Sequence, residues 1–296
     1  MAERLIEAVP NYSEGRDIRV VEEIASAANA IPGVYLLDRT SDADHNRSVL
    51  TFAGDPESVW EAAVRTVGIA ASHIDLTKQR GVHPRLGACD VLPFVPVSGI
   101  TLPECVDLAH RAGAEIWDRY RVPVFFYEAA ALTPSRRLLE DIRRGEFERS
   151  GLRPDIGDWL HPTAGATVVG ARKFLIAYNI NLDTPDVTIA QTIARKIRAS
   201  SGGFPNVKAL GLYLDSRNQA QVSMNLTDFE VTPIHVVFQA VRREAETLGA
   251  RIYGSELIGL IPQRALEMSR GFDLQWENLT EQSILENRLV AAIKSK

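Results

Sequence analysis

The chain has 296 residues, of which 45% are hydrophobic and 24% are charged, and its net charge is -5. This composition is typical of a globular protein with one large domain or two medium ones, and the lack of a basic block disfavours nucleic acid as a partner. Two cysteines, Cys89 and Cys105, are too few for a disulfide framework. The N-terminus lacks the apolar core of a signal peptide and no apolar run reaches the ~18 residues of a membrane span, which predicts a cytoplasmic protein without a membrane partner.

Strand and helix patterns alternate along the first half of the chain. The strand "LIEAV" and the helix of "DIRVVEEIASAANAI" precede the strands "VYLLD" and "RSVLTF", with "RTSDADHN" as the turn between them. The first helix is predicted to carry Ile18, Val21, Ile24, Ala25 and Ala28 on one face. A second helix begins with Asp55 as N-cap and Pro56 as first residue, and "DVLPFVPV" is the next strand. This β-α-β-β-α-β order indicates a ferredoxin-like unit, which a helix, the strand "VPVFFYEAAA" and another helix extend.

The same order returns in the second half. "FLIAYNINL" is a strand, "VKALGLYLD" and "QAQVSMNLT" form a hairpin, and "RIYGSELIGL" closes the unit. Its two helices are predicted to open at Thr184 with Pro185 and at Thr232 with Pro233. We therefore predict an α/β (α+β) protein of two βαββαβ subdomains, residues 1–170 and 171–296, related by an internal duplication with a period of about 175 residues.

One long segment, from Gly145 to Ala166, is rich in glycine and proline and has no apolar periodicity. Irregular segments of this length are binding loops or connections between domains. Its Trp159, Leu160 and His161 argue against a bare solvated linker, but the sequence leaves a binding loop and an ordinary domain crossover equally open.

The chain lacks the spacing motifs of zinc sites, dinucleotide-binding turns and P-loops, so no metal is expected. His83 and Cys89 alone would supply two ligands, which do not make a metal site. Cys89 stands at the start of an apolar strand, where a buried, inert thiol is commoner than a catalytic nucleophile.

His83 is the unusual one of the six histidines. It precedes Pro84, which restricts its backbone to extended conformations. An imidazole with a pKa near ~6.5 can take and return a proton at neutral pH, and nearby cations suit the recognition of carboxylates. The surrounding cations are Lys78, Arg80 and Arg85. His83 is therefore either an acid–base group or a surface histidine in a basic loop. The histidines expected to be packed or solvated on helices are His73, His110 and His235.

Several long motifs resemble the glutamate formimidoyltransferase (formiminotransferase) family. They are "VPNYSEGRD", "DHNRSVLTF", "GVHPRLGACDVLPFVPV", "GATVVGARKFLIAYNINL", "NLTDFEVTPIHVVF" and "GSELIGLIP". The resemblance covers nearly the whole chain in register. In animals this family forms the N-terminal part of a bifunctional formiminotransferase-cyclodeaminase.

The resemblance implies a reaction and a fold. A formimidoyl group would move from N-formimidoyl-L-glutamate to N5 of tetrahydrofolate, the co-substrate, during histidine degradation. The family has two α/β subdomains whose sheets, mixed or antiparallel, face each other with folate in the groove between them. The histidine of its "HPR" motif is catalytic and corresponds to His83. The family's folate-contacting segment corresponds to Gly157, Asp158, Trp159, Leu160, His161, Pro162, Thr163, Ala164 and Gly165.

Other residues are candidates for the substrate. Arg47 and Arg85, ahead of Arg80, are expected to bind its carboxylates, each against the alternative of a solvated arginine. Asn11 and Asn46 are expected to orient the substrate or to cap turns. Asp38 or Asp44 is expected to pair with the histidine or with the amidinium, although Thr40 stands where animal members can have an aspartate. The pterin is expected to stack near Trp159 and Leu160.

Two alternative functions remain open from the sequence. One is a related folate enzyme that transfers a formyl group, because formyl and formimidoyl differ only by oxygen in place of nitrogen. The other is a non-catalytic regulatory module that binds a small ligand, against which the intact "HPR" motif argues. The chain ends at Lys296 without a helical cyclodeaminase region. The resemblance thus implies a stand-alone transferase, a homodimer like its relatives, whose product passes to a separate cyclodeaminase.

Overall fold

The computed structural model describes residues 4–43, 45–81, 84–149 and 151–295. The chain divides into two units, one up to Arg172 and one from Lys173. Among the described residues, no helix is both long and apolar enough to cross a membrane. Two of the predicted site residues, Asp44 and His83, lie outside the described part of the chain.

The first unit contains a mixed sheet with helices packed on it. Its elements, in chain order, are β1 (Leu5–Ala8), β2 (Asn11–Tyr12), α1 (Ile18–Asn29), β3 (Val34–Asp42), β4 (Arg47–Gly54), α2 (Pro56–His73), β5 (Cys89–Ser98), α3 (Leu102–Tyr120), β6 (Val124–Glu128), the short helices α4 (Leu139–Ile142) and α5 (Glu146–Arg149), and β7 (Thr167–Ala171). A 3₁₀ turn, Pro134–Arg136, precedes α4.

The strand order confirms the predicted ferredoxin-like unit. Both β1 and β2 pair antiparallel with β4 on one side and β5 on the other, so they act as one strand interrupted around Pro10. Proline has no backbone N–H to donate, which accounts for the interruption. β3 pairs with β4 at one end of the sheet, and β7 and β6 extend it beyond β5 as parallel strands.

Local signals predicted much of this unit. Asp55 caps α2 through the Ser58 N–H, and Pro56 begins the helix, as expected. On α1 the residues Val21, Ile24, Ala25 and Ala28 are buried. Ile18, at the start of the helix, is 50% exposed, so the buried part of this face begins one turn into the helix. The predicted "RTSDADHN" turn was too long, because pairing with β4 continues β3 to Asp42.

The second unit has a wholly antiparallel sheet. Its elements are β8 (Ile176–Leu182), α6 (Val187–Ile197), β9 (Val207–Leu214), β10 (Gln219–Leu226), α7 (Ile234–Thr247), β11 (Ile252–Ile258), α8 (Gln263–Met268) and α9 (Leu285–Ser295), with 3₁₀ turns at Ala199–Ser201 and Glu281–Ser283. The order β11-β8-β10-β9 confirms the second βαββαβ arrangement. The helix starts were misplaced: Asp186 caps α6, whereas the Thr232 hydroxyl donates to Pro205 O instead of capping α7.

The segment from Gly145 to Ala166 belongs to the first unit and does not connect the two units. It leads into β7, which lies between β5 and β6 in the first sheet. The sequence analysis did not predict β7 as a strand. Its insertion explains why this segment is tied to the sheet rather than solvated: the Val124 N–H donates to Ile156 O at 3.0 Å.

Candidate functional site

Three predicted site residues share one face of the first sheet. Asn11 pairs with Val49 of β4, and Asp38 pairs with Thr51 of the same strand. Cross-strand partners point to the same side, and residues two apart along a strand share a face, so Arg47 lies on this side too. Leu50 and Phe52 of β4 point to the other side, where they belong to the core cluster that packs against the helices. The three residues therefore lie on the face opposite the core cluster, the face on which Val91 packs against Ile142 of α4.

Arg47 is the central cation of this face. Its Nη2 donates to Asn11 Oδ1 at 2.5 Å, and its Nη1 lies 3.2 Å from Asp90 Oδ2. Asn11 is itself held, because its Nδ2 donates to Val9 O at 2.8 Å. Burial lowers the pKa of Arg47 to about 10, partly offset by the Asp90 carboxylate and reinforced by the Arg143 guanidinium. Arg47 therefore stays charged at neutral pH in a fixed position.

Asp90 is a functional candidate that the sequence reasoning missed. Its side chain is fully buried, and its Oδ1 accepts the Leu86 N–H at 2.8 Å. Its Oδ2 accepts hydrogen bonds from Arg143 at 2.5 Å and from Arg47. Burial opposes ionisation, but the two guanidinium groups and the Leu86 amide outweigh it and hold the pKa of Asp90 below its ordinary value. The available signal was an acid inside the "GACDV" motif at the start of a buried strand.

Arg143 and Arg47 both contact the Asp90 carboxylate, so the three side chains form an ion cluster. Arg143 comes from the residue after α4, so the cluster joins that segment to β4 and β5. The cluster is largely buried, so water screens its charges less than those of exposed ion pairs.

Asn46 lies in the turn before β4 with a positive φ of 49°, a conformation that asparagine tolerates better than most residues. Its Oδ1 accepts the Gly15 N–H at 3.0 Å, and its Nδ2 donates to Gln79 Oε1 and to Arg80 O. All of these contacts are structural. The side chain is buried, so its amide serves the turn and the segment before Gly81.

Arg85 and Arg80 differ sharply in their surroundings. Arg85 is buried, and its Nη2 donates to Glu148 Oε1 at 2.7 Å and to Gln79 O at 3.0 Å. Arg80 is exposed and donates to the backbone carbonyls of Thr77 and Gln79. Arg85 thus fixes the chain after Pro84, whereas the guanidinium of Arg80 is reachable from solvent.

The predicted folate segment is joined by backbone hydrogen bonds to the chain around Leu86. The Ala88 N–H donates to Ala164 O at 2.8 Å, and the Ala166 N–H donates to Leu86 O at 3.1 Å. Gly165 has a φ of 67°, and a Cβ there would come within 2.0 Å of Leu86 O. Only glycine allows this close approach. The structure therefore brings together the predicted folate segment and the chain that follows Pro84.

Side chains of this segment differ in accessibility. Trp159 is 82% exposed, whereas Leu160 packs against a small core cluster that includes Leu86. His161 shapes the turn, because its Nδ1 accepts the Ala164 N–H at 3.0 Å and a longer hydrogen bond from the Thr163 N–H. Asp158 makes a surface ion pair with Arg153, Gly157 has a φ of 90°, and the turn passes through Pro162. The exposed indole is the side chain of this segment most available to a ligand.

Both cysteines are buried and unbridged, and the burial of Cys89 was expected. Burial raises the pKa of Cys89 well above its ordinary value, with a contribution from the Asp90 carboxylate, so the thiol stays protonated. Within the described ranges no three residues are grouped as metal ligands. The pairing of Cys89 with His83 falls outside those ranges.

The helical histidines have structural surroundings. His110 Nε2 lies 2.9 Å from Ala130 O, and His235 stacks on Phe272 with ring centroids 4.3 Å apart. His73 lies 3.1 Å from a Glu23 carboxylate oxygen on the surface. None of these three lies on the face of the first sheet that carries Asn11, Asp38 and Arg47.

Comparison with known proteins identifies the two units. Residues 5–172 match the N-terminal subdomain of the formiminotransferase domain, and residues 177–295 match the formiminotransferase domain. A glutamate formimidoyltransferase of Streptococcus pyogenes serotype M1 is 44% identical over 97% of this chain and 99% of its own length. One of Thermoplasma acidophilum is 40% identical over 97% of this chain and 98% of its own. The formimidoyltransferase-cyclodeaminase of Mus musculus is 42% identical over 93% of this chain, which spans 53% of that protein.

Proposed function

Because the chain belongs to the formiminotransferase family, we propose that it is a glutamate formimidoyltransferase. It transfers the formimidoyl group of N-formimidoyl-L-glutamate to N5 of tetrahydrofolate and releases L-glutamate. The observation that carries this proposal is the similarity, over nearly the full length of both chains, to two relatives that bear this name. The same likeness supports a place in histidine degradation, a cytoplasmic enzyme, and a homodimer whose product is used by a separate cyclodeaminase.

The chemistry requires control of protons. N5 of the folate attacks the formimidoyl carbon and forms an N–C bond, which gives a tetrahedral intermediate. The bond from that carbon to the glutamate nitrogen then breaks, and the nitrogen leaves as an amine once it is protonated. A group that accepts the proton of N5 and returns one to the glutamate nitrogen accelerates both steps, and such transfer is worth about 10²–10⁴ in rate.

We assign this proton transfer to His83. The support is the "HPR" motif of the resemblance together with the fixed chain on either side of it, where Arg80 and Arg85 are held by Gln79 O. The guanidinium groups of Arg80 and Arg85 also favour the binding of an anionic substrate such as N-formimidoyl-L-glutamate. Orientation of both substrates adds to the rate, since a reaction within one site avoids the entropy of a bimolecular encounter.

The ion cluster supports a role for Arg47 in binding a substrate carboxylate. Arg47 is fixed by Asn11 and Asp90, and its burial limits the screening of its charge by water. Asp38 lies on the same face and suits the amidinium of the donor, a role for which Asp44 is the alternative. Arg85 forms an ion pair with Glu148, so we propose that it has a structural role and fixes the chain after Pro84. Arg80 is then the cation that remains accessible to the substrate. Asn46 is proposed to support the same turn.

Replacing Trp159 with alanine should weaken folate binding by about 1–3 kcal/mol, the usual contribution of an aromatic side chain to base stacking. The free energy of unfolding of the Trp159→Ala variant should differ little from that of the wild type, because the indole is 82% exposed. Calorimetric titration with a stable 5-formyl folate measures the affinity, and Leu132→Ala, an exposed apolar control, should leave it unchanged. An unchanged affinity for Trp159→Ala would reduce the segment to a structural connection.

A steady-state assay of the purified protein with each donor tests the proposal. Transfer to tetrahydrofolate should be efficient with N-formimidoyl-L-glutamate and much slower with N-formyl-L-glutamate. A preference for the formyl donor would replace the proposed substrate with the formyl alternative. Folate binding without turnover of either donor would favour the non-catalytic regulatory module.

A further inference from the structure

We propose that Gln79 is a positioning residue that sets the loop carrying His83, an inference that rests on the function proposed above. Gln79 lies at the end of the irregular stretch after α2, directly before Arg80 and Gly81. Both its side-chain amide and its backbone carbonyl make hydrogen bonds to residues next to this loop.

The side chain of Gln79 closes a ring of hydrogen bonds between three segments. The Gly15 N–H donates to Asn46 Oδ1 at 3.0 Å, and Asn46 Nδ2 donates to Gln79 Oε1. Gln79 Nε2 in turn donates to Glu14 Oε2 at 2.5 Å. Glu14 directly precedes Gly15, so the ring closes through the backbone. Around the ring each residue donates to the next one, so the hydrogen bonds all run in a single direction.

The backbone of Gln79 ties the two sides of the loop together. Its carbonyl accepts hydrogen bonds from Arg85 Nη2 at 3.0 Å and from Arg80 Nη1 at 2.8 Å. The neighbouring carbonyl of Arg80 accepts from Asn46 at 3.1 Å. Arg80 and Arg85, which lie before and after Val82 and His83, are therefore anchored to the Gln79 carbonyl. Arg80 is also held by the side-chain amide of Asn46, which itself bonds to Gln79.

Only an amide fits position 79. Glu14 is an acceptor whose Oε1 already takes the backbone N–H groups of Arg16 and Asp17 at 2.8 and 2.9 Å. Asn46, on the other side of Gln79, donates a hydrogen bond to the Gln79 side chain. An amide supplies one acceptor and one donor at once, whereas a carboxylate supplies acceptors alone. Gln79→Glu would thus set two carboxylates against each other in a partly buried place, where like charges repel strongly.

The test compares Gln79→Glu with a double variant in which the amide and the carboxylate at positions 79 and 14 are exchanged. Gln79→Glu should lower kcat by about 10²-fold, the loss expected when a reacting group is misplaced by about 1 Å. The KM for tetrahydrofolate should stay within a factor of about three of wild type, because no ring residue belongs to the proposed folate segment. The double variant Glu14→Gln with Gln79→Glu restores one donor and one acceptor between these positions, and kcat should return to within about threefold of wild type.

Gln263→Glu is the matched control. Gln263 Nε2 also donates to a glutamate, Glu267 Oε1 at 3.1 Å, but on an exposed helix of the second unit, so kcat should not change. The inference is overturned if Gln79→Glu keeps wild-type turnover, if the double variant stays as slow as the single one, or if kcat falls only in step with the melting temperature. A wild-type protein without any formimidoyl transfer would instead overturn the proposed function.

Discussion

His83→Asn should lower turnover by about 10²–10⁴ while leaving the fold intact, because asparagine lacks a group that exchanges protons near neutral pH. Folate affinity should change little, since most contacts to the folate would remain. The expected loss in kcat and in kcat/KM is similar, which is the signature of an interaction made in the transition state alone. Steady-state kinetics of formimidoyl transfer, beside a thermal melt, measures both quantities.

The control for this prediction is His73→Asn. His73 is a helical histidine whose ring meets Glu23 on the surface, so its replacement should change neither turnover nor the melt appreciably. If His83→Asn melts like wild type and keeps turnover within a factor of about three, His83 is not the acid–base group. A loss of activity that follows a loss of stability would assign His83 a structural role.

Asp90→Ala should lower the free energy of unfolding by about 3–5 kcal/mol, the usual effect of removing one partner of a buried ion pair. The variant leaves the Arg47 and Arg143 guanidinium groups and the Leu86 N–H without the carboxylate that they bond to. Urea denaturation measures the change. Glu57→Ala, which breaks an exposed pair with Arg111, should cost within about 1 kcal/mol because exposed ion pairs contribute little.

The Asp90 effect should also depend on pH. The folded-state pKa of Asp90 lies below its ordinary value, so this group stabilises the fold above the unfolded-state pKa of about 3.9. That contribution is lost as the pH falls through the folded-state value. The difference in stability between wild type and Asp90→Ala should therefore be constant near neutral pH and shrink in strong acid. A difference that is small at neutral pH would mean that the carboxylate does not hold this cluster.

Periodicity and capping signals were sufficient to predict the repeated βαββαβ order. The Asp55 cap was found because it depends on neighbours in sequence. β7 was missed, since "TVVGA" is a short apolar run whose identity as a strand depends on pairing with β5 and β6. The prediction that Thr232 opens α7 was wrong for a related reason. Its hydroxyl donates to the carbonyl of Pro205, which is distant in sequence, and no local pattern reveals that contact.

The candidate site was only partly visible in the sequence. Arg47 and Asn11 were proposed separately, and the structure joins them by a hydrogen bond. Asp90 and Arg143 were not proposed, because their contact links the start of a strand to a segment 53 residues further along the chain. Polar partners of this kind depend on the sheet register and on an irregular segment, neither of which a single sequence displays.

Transfer of an isotope-labelled formimidoyl carbon tests the central claim most directly. The purified protein is mixed with tetrahydrofolate and N-formimidoyl-L-glutamate labelled at that carbon, and the products are analysed by mass spectrometry. The account predicts that the label appears on the folate as 5-formimidoyltetrahydrofolate, in an amount equal to the glutamate released. Glutamate release without labelled folate, or label that remains on glutamate, would contradict it.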